Sequence, residues 1–262
     1  MIFKDQLGRE VELCKFPQRI VSLVPSQTHL LVELGLDDRV IGITKFCIHP
    51  KTWSKTKTKV GGTKNVNIDK IISLQPDLII GNKEENTKED IEKLAALFPV
   101  WISDINSVSE SLQMIEQVSE MLDCKQIGKG ILDKIENALT HRMQIQQQNS
   151  VLYLIWKKPW MSINKNTYIF DLLMHFGLQP IEFNSTERYP KLSEEMLAAL
   201  NPSLILLSSE PFPFKQKDIE TLQRIVPHAK VLFIDGESCS WYGSFLLKSI
   251  AYLNTYIVQN NL

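Results

Sequence analysis

Two α/β lobes joined by one long helix are predicted from three features of the sequence. Short runs of branched apolar residues alternate with amphipathic stretches. The stretch from Ser107 to about Asn149 is nearly all helix formers, with no proline and only Gly128 and Gly130 as weak points. One helix–proline–strand unit then occurs twice, once in each half. Alternation of this kind argues for parallel βαβ units with helices on both faces of a sheet.

The elements follow in order. "RIVSLV" (Arg19–Val24) reads as a buried strand, and "SQTHLLVELGL" as a helix with Ser26 as N-cap and Gly35 as its stop. "VIGI" (Val40–Ile43) is a strand, "NIDKIISL" a helix behind an Asn67 cap, and "DLIIG" the next strand. "NTKEDIEKLAALF" is an amphipathic helix capped near Thr87, followed by the strand "VWIS". A helix of about 20 residues, roughly Lys125 to Gln147, would be ~30 Å long. Alternation resumes with "VLYLIW", "IFDLLMHFGL", "LSEEMLAAL", "SLILLS", a helix after Phe214, "VLFID", and a last helix from Ser244.

The echo aligns "NIDKIISLQPDLII" (Asn67–Ile80) with "SEEMLAALNPSLIL" (Ser193–Leu206). Asp69 matches Glu195, Pro76 matches Pro202 and Leu78 matches Leu204, all at an offset of 126. The predicted organisation is an N-terminal α/β lobe over residues 1–124, a bridging helix over 125–148, and a C-terminal α/β lobe over 149–262.

Composition sets limits on function. The chain has 262 residues, 44% of them apolar and 23% charged, with a formal net charge of −1. That suits one large domain or two lobes of roughly 100–130 residues. It gives no electrostatic footprint for nucleic acid or an anionic membrane. Apolar runs are strand-sized, too short to span a bilayer. Met1 is followed by "IFKDQLGREVEL", without a basic n-region or apolar h-region. The expectation is a cytoplasmic chain as written, or a periplasmic one if a signal was removed. The four cysteines (Cys14, Cys47, Cys124, Cys239) form no C-x-x-C pair and read as reduced thiols, Cys124 as a small buried hydrophobe.

"DQLGREVEL…PQRIVSLVPSQTHLLVELGLDDRVIGI", "KVGGTKNVNIDKIISLQPDLII" and "YPKLSEEMLAALNPSLILL" together resemble the substrate-binding proteins of ABC importers for vitamin B12, ferric siderophores and haem. These are the helical-backbone metal receptors. "TKFCIHP", "NKEEN", "SSEPFPF" and "DGESCSWYG" resemble a subgroup without a signal sequence. The resemblance implies two Rossmann-like lobes with parallel-type sheets, a bridging helix that limits hinging, and a ligand held in a cleft between the lobes. Ligand-facing loops would follow the strands, as is general for open α/β sheets.

The positions matched to aromatic clamps of the B12 binder are Phe46, Trp160 and Tyr189; burying such rings against a flat ligand gives large area at small entropic cost. The sequence departs from that binder at Thr63 and Asn82, which replace aromatic residues, and at His29, where glutamate is common. Asp69 and Glu195 match acids that dock arginines of the permease; first-turn acids also simply favour the helix dipole. Glu84, Glu85, Glu210 and Glu237 follow strands and would face the cleft, paired with a metal, a cationic group, Lys45 or Lys83. Trp241 and Tyr242 would help floor it. "VGGT" (Val60–Thr63) reads as a tight turn and not a phosphate loop.

Cys47 and His49 allow three readings. They line the cleft without metal; they share one metal from an extended backbone, with Glu84 or Glu237 completing the set; or Cys47 is a thiolate activated by the imidazole. The expected function is accordingly a non-enzymatic importer-type binding protein for a corrinoid, ferric siderophore or haem. No cofactor is required beyond that metal-containing ligand. The expected partners are the chelate and an ABC-importer permease, with no nucleic acid, no membrane insertion and a monomeric chain. The competing readings are a cytoplasmic, chelatase-like metal-handling enzyme and a free-standing carrier or sensor.

Overall fold

The computed structural model describes residues 1–145 and 150–262. It falls into two compact units, one formed by Met1–Ile105, Ser109–Asn137 and Tyr242–Leu247, the other by Asn106–Val108, Ala138–Trp241 and Lys248–Leu262.

The first unit opens with an antiparallel hairpin, β1 (Ile2–Lys4) and β2 (Glu10–Glu12). There follow β3 (Ile20–Ser22), α1 (Pro25–Glu33), β4 (Val40–Ile43), α2 (Lys51–Thr56), β5 (Thr58–Lys59), α3 (Ile68–Leu74), β6 (Leu78–Asn82), α4 (Lys88–Ala95), β7 (Val100–Ser103), α5 (Val108–Met121) and α6 (Lys125–Thr140). The sheet is parallel throughout, in the order β5-β4-β3-β6-β7. Every residue of β3, β6 and β7 is buried. That is why these strands read as continuous apolar runs rather than alternating ones.

The chain continues with β8 (Ser150–Trp156), β9 (Trp160–Ser162), α7 (Tyr168–His175), β10 (Gln179–Pro180), β11 (Lys191–Leu192), α8 (Glu194–Leu200), β12 (Leu204–Ser208), α9 (Gln216–Ile225), β13 (Lys230–Ile234) and α10 (Gly236–Ser240) in the second unit, then a 3₁₀ turn at Gly243–Phe245 and α11 (Leu246–Gln259). The turn itself belongs to the first unit. This sheet is mixed, ordered β11-β9-β8-β12-β13. The early half of β8 pairs in parallel with β10, and its end pairs antiparallel with β9.

The internal echo holds residue for residue. α3 and α8 have the same bounds at the 126 offset, as do β6 and β12. Asn67 Oδ1 accepts from Lys70 N–H at 2.9 Å, and Ser193 Oγ from Met196 N–H at 3.2 Å. Both helices end on a left-handed residue, Gln75 (φ 46°) and Asn201 (φ 48°), directly before proline. Proline cannot continue a helix, and the left-handed cap turns the chain into the buried strand.

Three local expectations are corrected. The N-cap of α1 is Val24, with Pro25 at the first helical position, so Ser26 lies inside the helix and is buried. The last helix begins at Leu246, after the 3₁₀ turn. The long helix ends at Thr140, short of Gln147. Beyond it, Arg142 Nε donates to the His175 carbonyl and Ile145 N–H to the Phe176 carbonyl, 3.0 Å away. Those bonds tie the chain to the end of α7. Gly177 (φ +77°) makes this approach feasible, since a Cβ there would fall 2.5 Å from the Ile145 carbonyl oxygen. The remainder of the expected bridge, residues 146–148, lies outside the described residues. Among the described residues no helix is long and apolar enough to cross a membrane.

The two caps supply matched tests. Asn67→Ala and Ser193→Ala should each lower unfolding free energy by about 1 kcal/mol, read by urea denaturation. A change below ~0.3 kcal/mol in either would contradict the cap geometry.

Candidate ligand-binding site

In the first unit the strand order reverses at β3, and an open α/β sheet binds ligands beyond the carboxyl ends of its strands at such a point. The loops at that end follow β4, β5 and β6. After β4 the chain does not run extended: Lys45 and Phe46 form a turn, with Cys47 N–H donating to the Thr44 carbonyl at 3.2 Å. The turn separates neighbouring side chains. Cys47 is wholly buried, its Sγ 3.0 Å from Thr28 Oγ1 and 3.2 Å from Thr44 Oγ1. Phe46 is 51% exposed, with the Lys45 ammonium 5.1 Å from its ring centre.

The loop after β5 closes against this turn. Gly61 has φ +104°, and a Cβ there would meet the Asn65 carbonyl oxygen at 2.6 Å, so the tight turn read from "VGGT" requires glycine. Lys45 N–H donates to the Gly61 carbonyl at 2.8 Å, and Gly62 packs beneath the Phe46 ring. The result is a concavity of about 800 Å3, whose lining includes Lys45, Phe46, Thr63, Lys64, Asn65 and Asp69. Three predicted residues, Phe46, Thr63 and Asp69, meet there. Lys64 and Asn65 escaped notice in the sequence because lone polar loop residues carry no pattern.

Several predicted contacts have structural work instead. Asn82 is buried; its Oδ1 accepts from the N–H groups of Glu84 and Glu85 (2.8 and 3.0 Å), and its Nδ2 donates to Ser103 Oγ (2.9 Å). It shapes the loop after β6 and does not present its amide outward. Glu84 and Glu85 are half-buried. Burial, then the neighbouring charge of Glu84, pushes the Glu85 carboxyl up, against the opposing pull of Lys64. Lys83 pairs with Asp104 at 2.6 Å and so is not the counter-ion for these acids. His29 is buried, its Nδ1 2.8 Å from Ser244 Oγ and its ring edge-on to Phe245, a packing role. Tyr242 is buried, and burial raises its hydroxyl pKa despite hydrogen bonds with Ser26 and Ser103.

The Cys47–His49 pair is corrected on the same ground. The extended backbone that would aim both side chains one way is replaced by a turn, and His49 stays half-buried while Cys47 points inward. Burial raises the Cys47 thiol above its ordinary value, with Thr28 and Thr44 opposing, so the side chain is a protonated thiol and not a ready nucleophile. Among the described residues no group of three His, Cys, Asp or Glu is placed to hold a metal ion.

In the second unit Trp160 is 5% exposed and belongs to a core with Leu152, Leu197 and Leu207. Its ring stacks on Phe214 (6.2 Å, 5° between planes) beneath the Lys157 ammonium, itself paired with Asp218 at 2.6 Å. Trp160 is therefore a packing residue where a ligand clamp was expected; Trp156, at the end of β8, is the exposed one. Tyr189 is half-buried after Arg188, whose guanidinium donates to Asn106 Oδ1 at 2.6 Å. Glu210 follows β12 as Glu84 follows β6, at the same offset, and accepts from Ser240 Oγ at 3.2 Å. Glu237 sits half-buried in α10, and Trp241, at its end, is 9% exposed.

The model of the periplasmic binding protein family matches residues 20–227. The chain belongs to that family. An uncharacterized ABC transporter substrate-binding lipoprotein, YvrC of Bacillus subtilis, is 25% identical over 95% of this chain and 82% of its own. The vitamin B12-binding protein of Vibrio vulnificus is 27% identical over 73% of this chain and 71% of its own. The apo periplasmic heme-binding protein RhuT from Roseiflexus sp. RS-1 shares the fold, with a TM-score of 0.75 and 20% identity over 92% and 98% of the two chains.

In this family member Asp69 and Glu195 occupy equivalent first turns, both exposed. The Glu195 carboxyl is held below its usual range by the Ser193 hydroxyl and by its own N–H. That arrangement serves the helix and leaves the acid accessible.

Thiol accessibility checks the orientation of Cys47. Cys14 is exposed and the other three cysteines are buried, with the Cys239 thiol pushed up to about 12 by burial. A chromogenic disulfide reagent at pH 8 should titrate Cys14 promptly and Cys47 only after denaturation. Modification of native Cys47 at the rate of Cys14 would show that the side chain faces solvent.

Proposed function

We propose that this chain is the substrate-binding component of an ABC importer and that it holds a metal chelate: a corrinoid, a haem or a ferric siderophore. The observation that carries this reading is Phe46, a large apolar ring left half exposed at the mouth of a concavity at the carboxyl ends of the strands. Lone exposed aromatics are common, but this one is braced by Gly62 and Lys45 and stands where α/β lobes bind ligands. Family membership and the B12- and heme-binding relatives support the ligand class. The ligand is bound and released unchanged, so Thr63, Lys64 and Asn65 contribute shape and hydrogen bonds with no chemistry to perform.

Burying the remaining half of a phenyl side chain, on the order of 80–100 Å2, contributes about 2 kcal/mol, or roughly thirtyfold in affinity. Titration of the protein with hemin, cyanocobalamin and ferric hydroxamate siderophores should give saturable binding of at least one at micromolar concentration. Phe46→Ala should weaken it roughly ten- to thirtyfold with an unchanged melting temperature. Binding of none of these chelates would overturn the reading.

Docking to a permease is proposed at Asp69 and Glu195, whose equivalent helix turns offer one accessible acid per lobe. Glu195→Lys should abolish cellular uptake of the chelate while leaving its affinity for the isolated protein within about twofold, and Asp69→Lys, which also lines the concavity, should abolish uptake as well. Unchanged uptake would reduce both acids to helix-dipole partners.

A further inference from the structure

Trp156 is the last residue of β8 and stands apart from the other tryptophans. It is 38% exposed, whereas Trp53, Trp101, Trp160 and Trp241 are all at 9% or less. The β8–β9 ladder shifts register between Leu154 and Trp156, an irregularity of the kind that re-aims a side chain beside functional sites. Phe212, in the loop after β12, meets the indole edge-on at 5.4 Å. Phe212 in turn contacts Phe214 at 4.8 Å, and Phe214 stacks on buried Trp160. Four rings thus run from the core of the second unit to its surface, and the inner ones fix the orientation of the outer pair.

The internal repeat sharpens the point. At the 126 offset Phe212 corresponds to Asn86. Asn86 holds its loop together, its Oδ1 accepting from Asn82 N–H at 2.8 Å and its Nδ2 donating to the Thr63 carbonyl at 3.0 Å. The second lobe gives up that loop-closing amide and has an aromatic ring in its place. The central strands differ likewise. Pairing with β6 and β12 matches Ile20 to Val151, which sets Trp156 where the first lobe has Pro25, the start of α1. Two repeat positions that serve the backbone in one lobe therefore carry adjoining aromatic rings in the other. Both lie at the carboxyl end of the parallel pair where the strand order turns, the binding end of such a sheet.

We infer that Trp156 and Phe212 form an aromatic contact surface for the face of a flat macrocyclic metal chelate, a porphyrin or corrinoid, rather than a compact siderophore. This rests on the proposed function and narrows its ligand class. An indole face offers broad apolar contact with little conformational freedom to lose, which suits a rigid conjugated ring system. The adjacent Lys157 is committed to Asp218 and to the Trp160 face.

The test titrates wild type, Trp156→Ala, Trp156→Phe and Phe212→Ala with hemin, cyanocobalamin and a ferric trihydroxamate siderophore. Acrylamide quenching of tryptophan emission runs in parallel. Wild type should show one accessible tryptophan that the bound macrocycle shields. Trp156→Ala and Phe212→Ala should bind the macrocycle at least tenfold more weakly, and Trp156→Phe within about threefold of wild type, all with melting temperatures near wild type. Should Trp156→Ala fold poorly, Trp156→Phe and Phe212→Ala decide. Macrocycle affinity unchanged in the alanine variants, or binding of the siderophore alone, overturns this inference and leaves the importer reading standing. Binding of no chelate by wild type overturns both.

Discussion

Parallel strands cannot be joined by a tight turn, so each must return to its starting end through a crossover, and the crossover helices cover the faces of the sheet. In both lobes this leaves the side chains of the central strands to packing and the strand ends open to other uses. β3, β6, β7 and β12 are buried along their whole length. The residues that can meet a ligand are accordingly in the short loops at their carboxyl ends. The repeated unit of capped helix, left-handed residue, proline and buried strand enforces this twice over, by delivering β6 and β12 to equivalent places beside the central strands.

Within that frame small polar groups decide which way the larger ones point. The thiol of Cys47 lies between the hydroxyls of Thr28 and Thr44, and this anchors the inner side of the turn whose outer side displays Phe46. Asn82 holds the N–H groups of Glu84 and Glu85, Asn86 ties the same loop to Thr63, and Gly61 lets the next loop close on the turn. Each of these buried groups is satisfied locally, as burial demands. The exposed surface they support carries Phe46, Lys45 and Lys64 over one concavity. The second lobe keeps the frame and changes this layer, with Phe212 where the first lobe has the loop-closing Asn86. The two lobes thus share a scaffold and differ in the loops at their strand ends.

Much of the fold was legible in the residues themselves, because the signals are local. Asn67, Thr87 and Ser193 cap helices as their side chains dictate, Gly35 stops α1 in the left-handed region, and the apolar runs become the buried strands. The offset between Asp69 and Glu195 relates two helices and two strands residue for residue. The order of motifs placed the chain in its family, and with it the binding-protein class. Short elements without periodicity, such as β9, β11 and α10, left no such mark.

The candidate site was legible by loop but not by side chain. Sequence position put Phe46, Cys47, Thr63 and Asn82 after strands, at the functional end; it could not tell which would turn inward, because that depends on partners far along the chain. Cys47 faces Thr28 and Asn82 faces Ser103, so both are buried, while Phe46 has no such pocket to fill. Trp160 and Trp156 make the same case four residues apart. The sequence by itself determined an α/β frame in two copies, found parallel throughout in the first and mixed in the second, and the loops that serve it, through caps, prolines and apolar runs. Only the tertiary structure decided that Trp160 packs beneath Phe214 and that Trp156 reaches the surface, because a register shift in a strand pair and a stacked ring from another loop set those orientations.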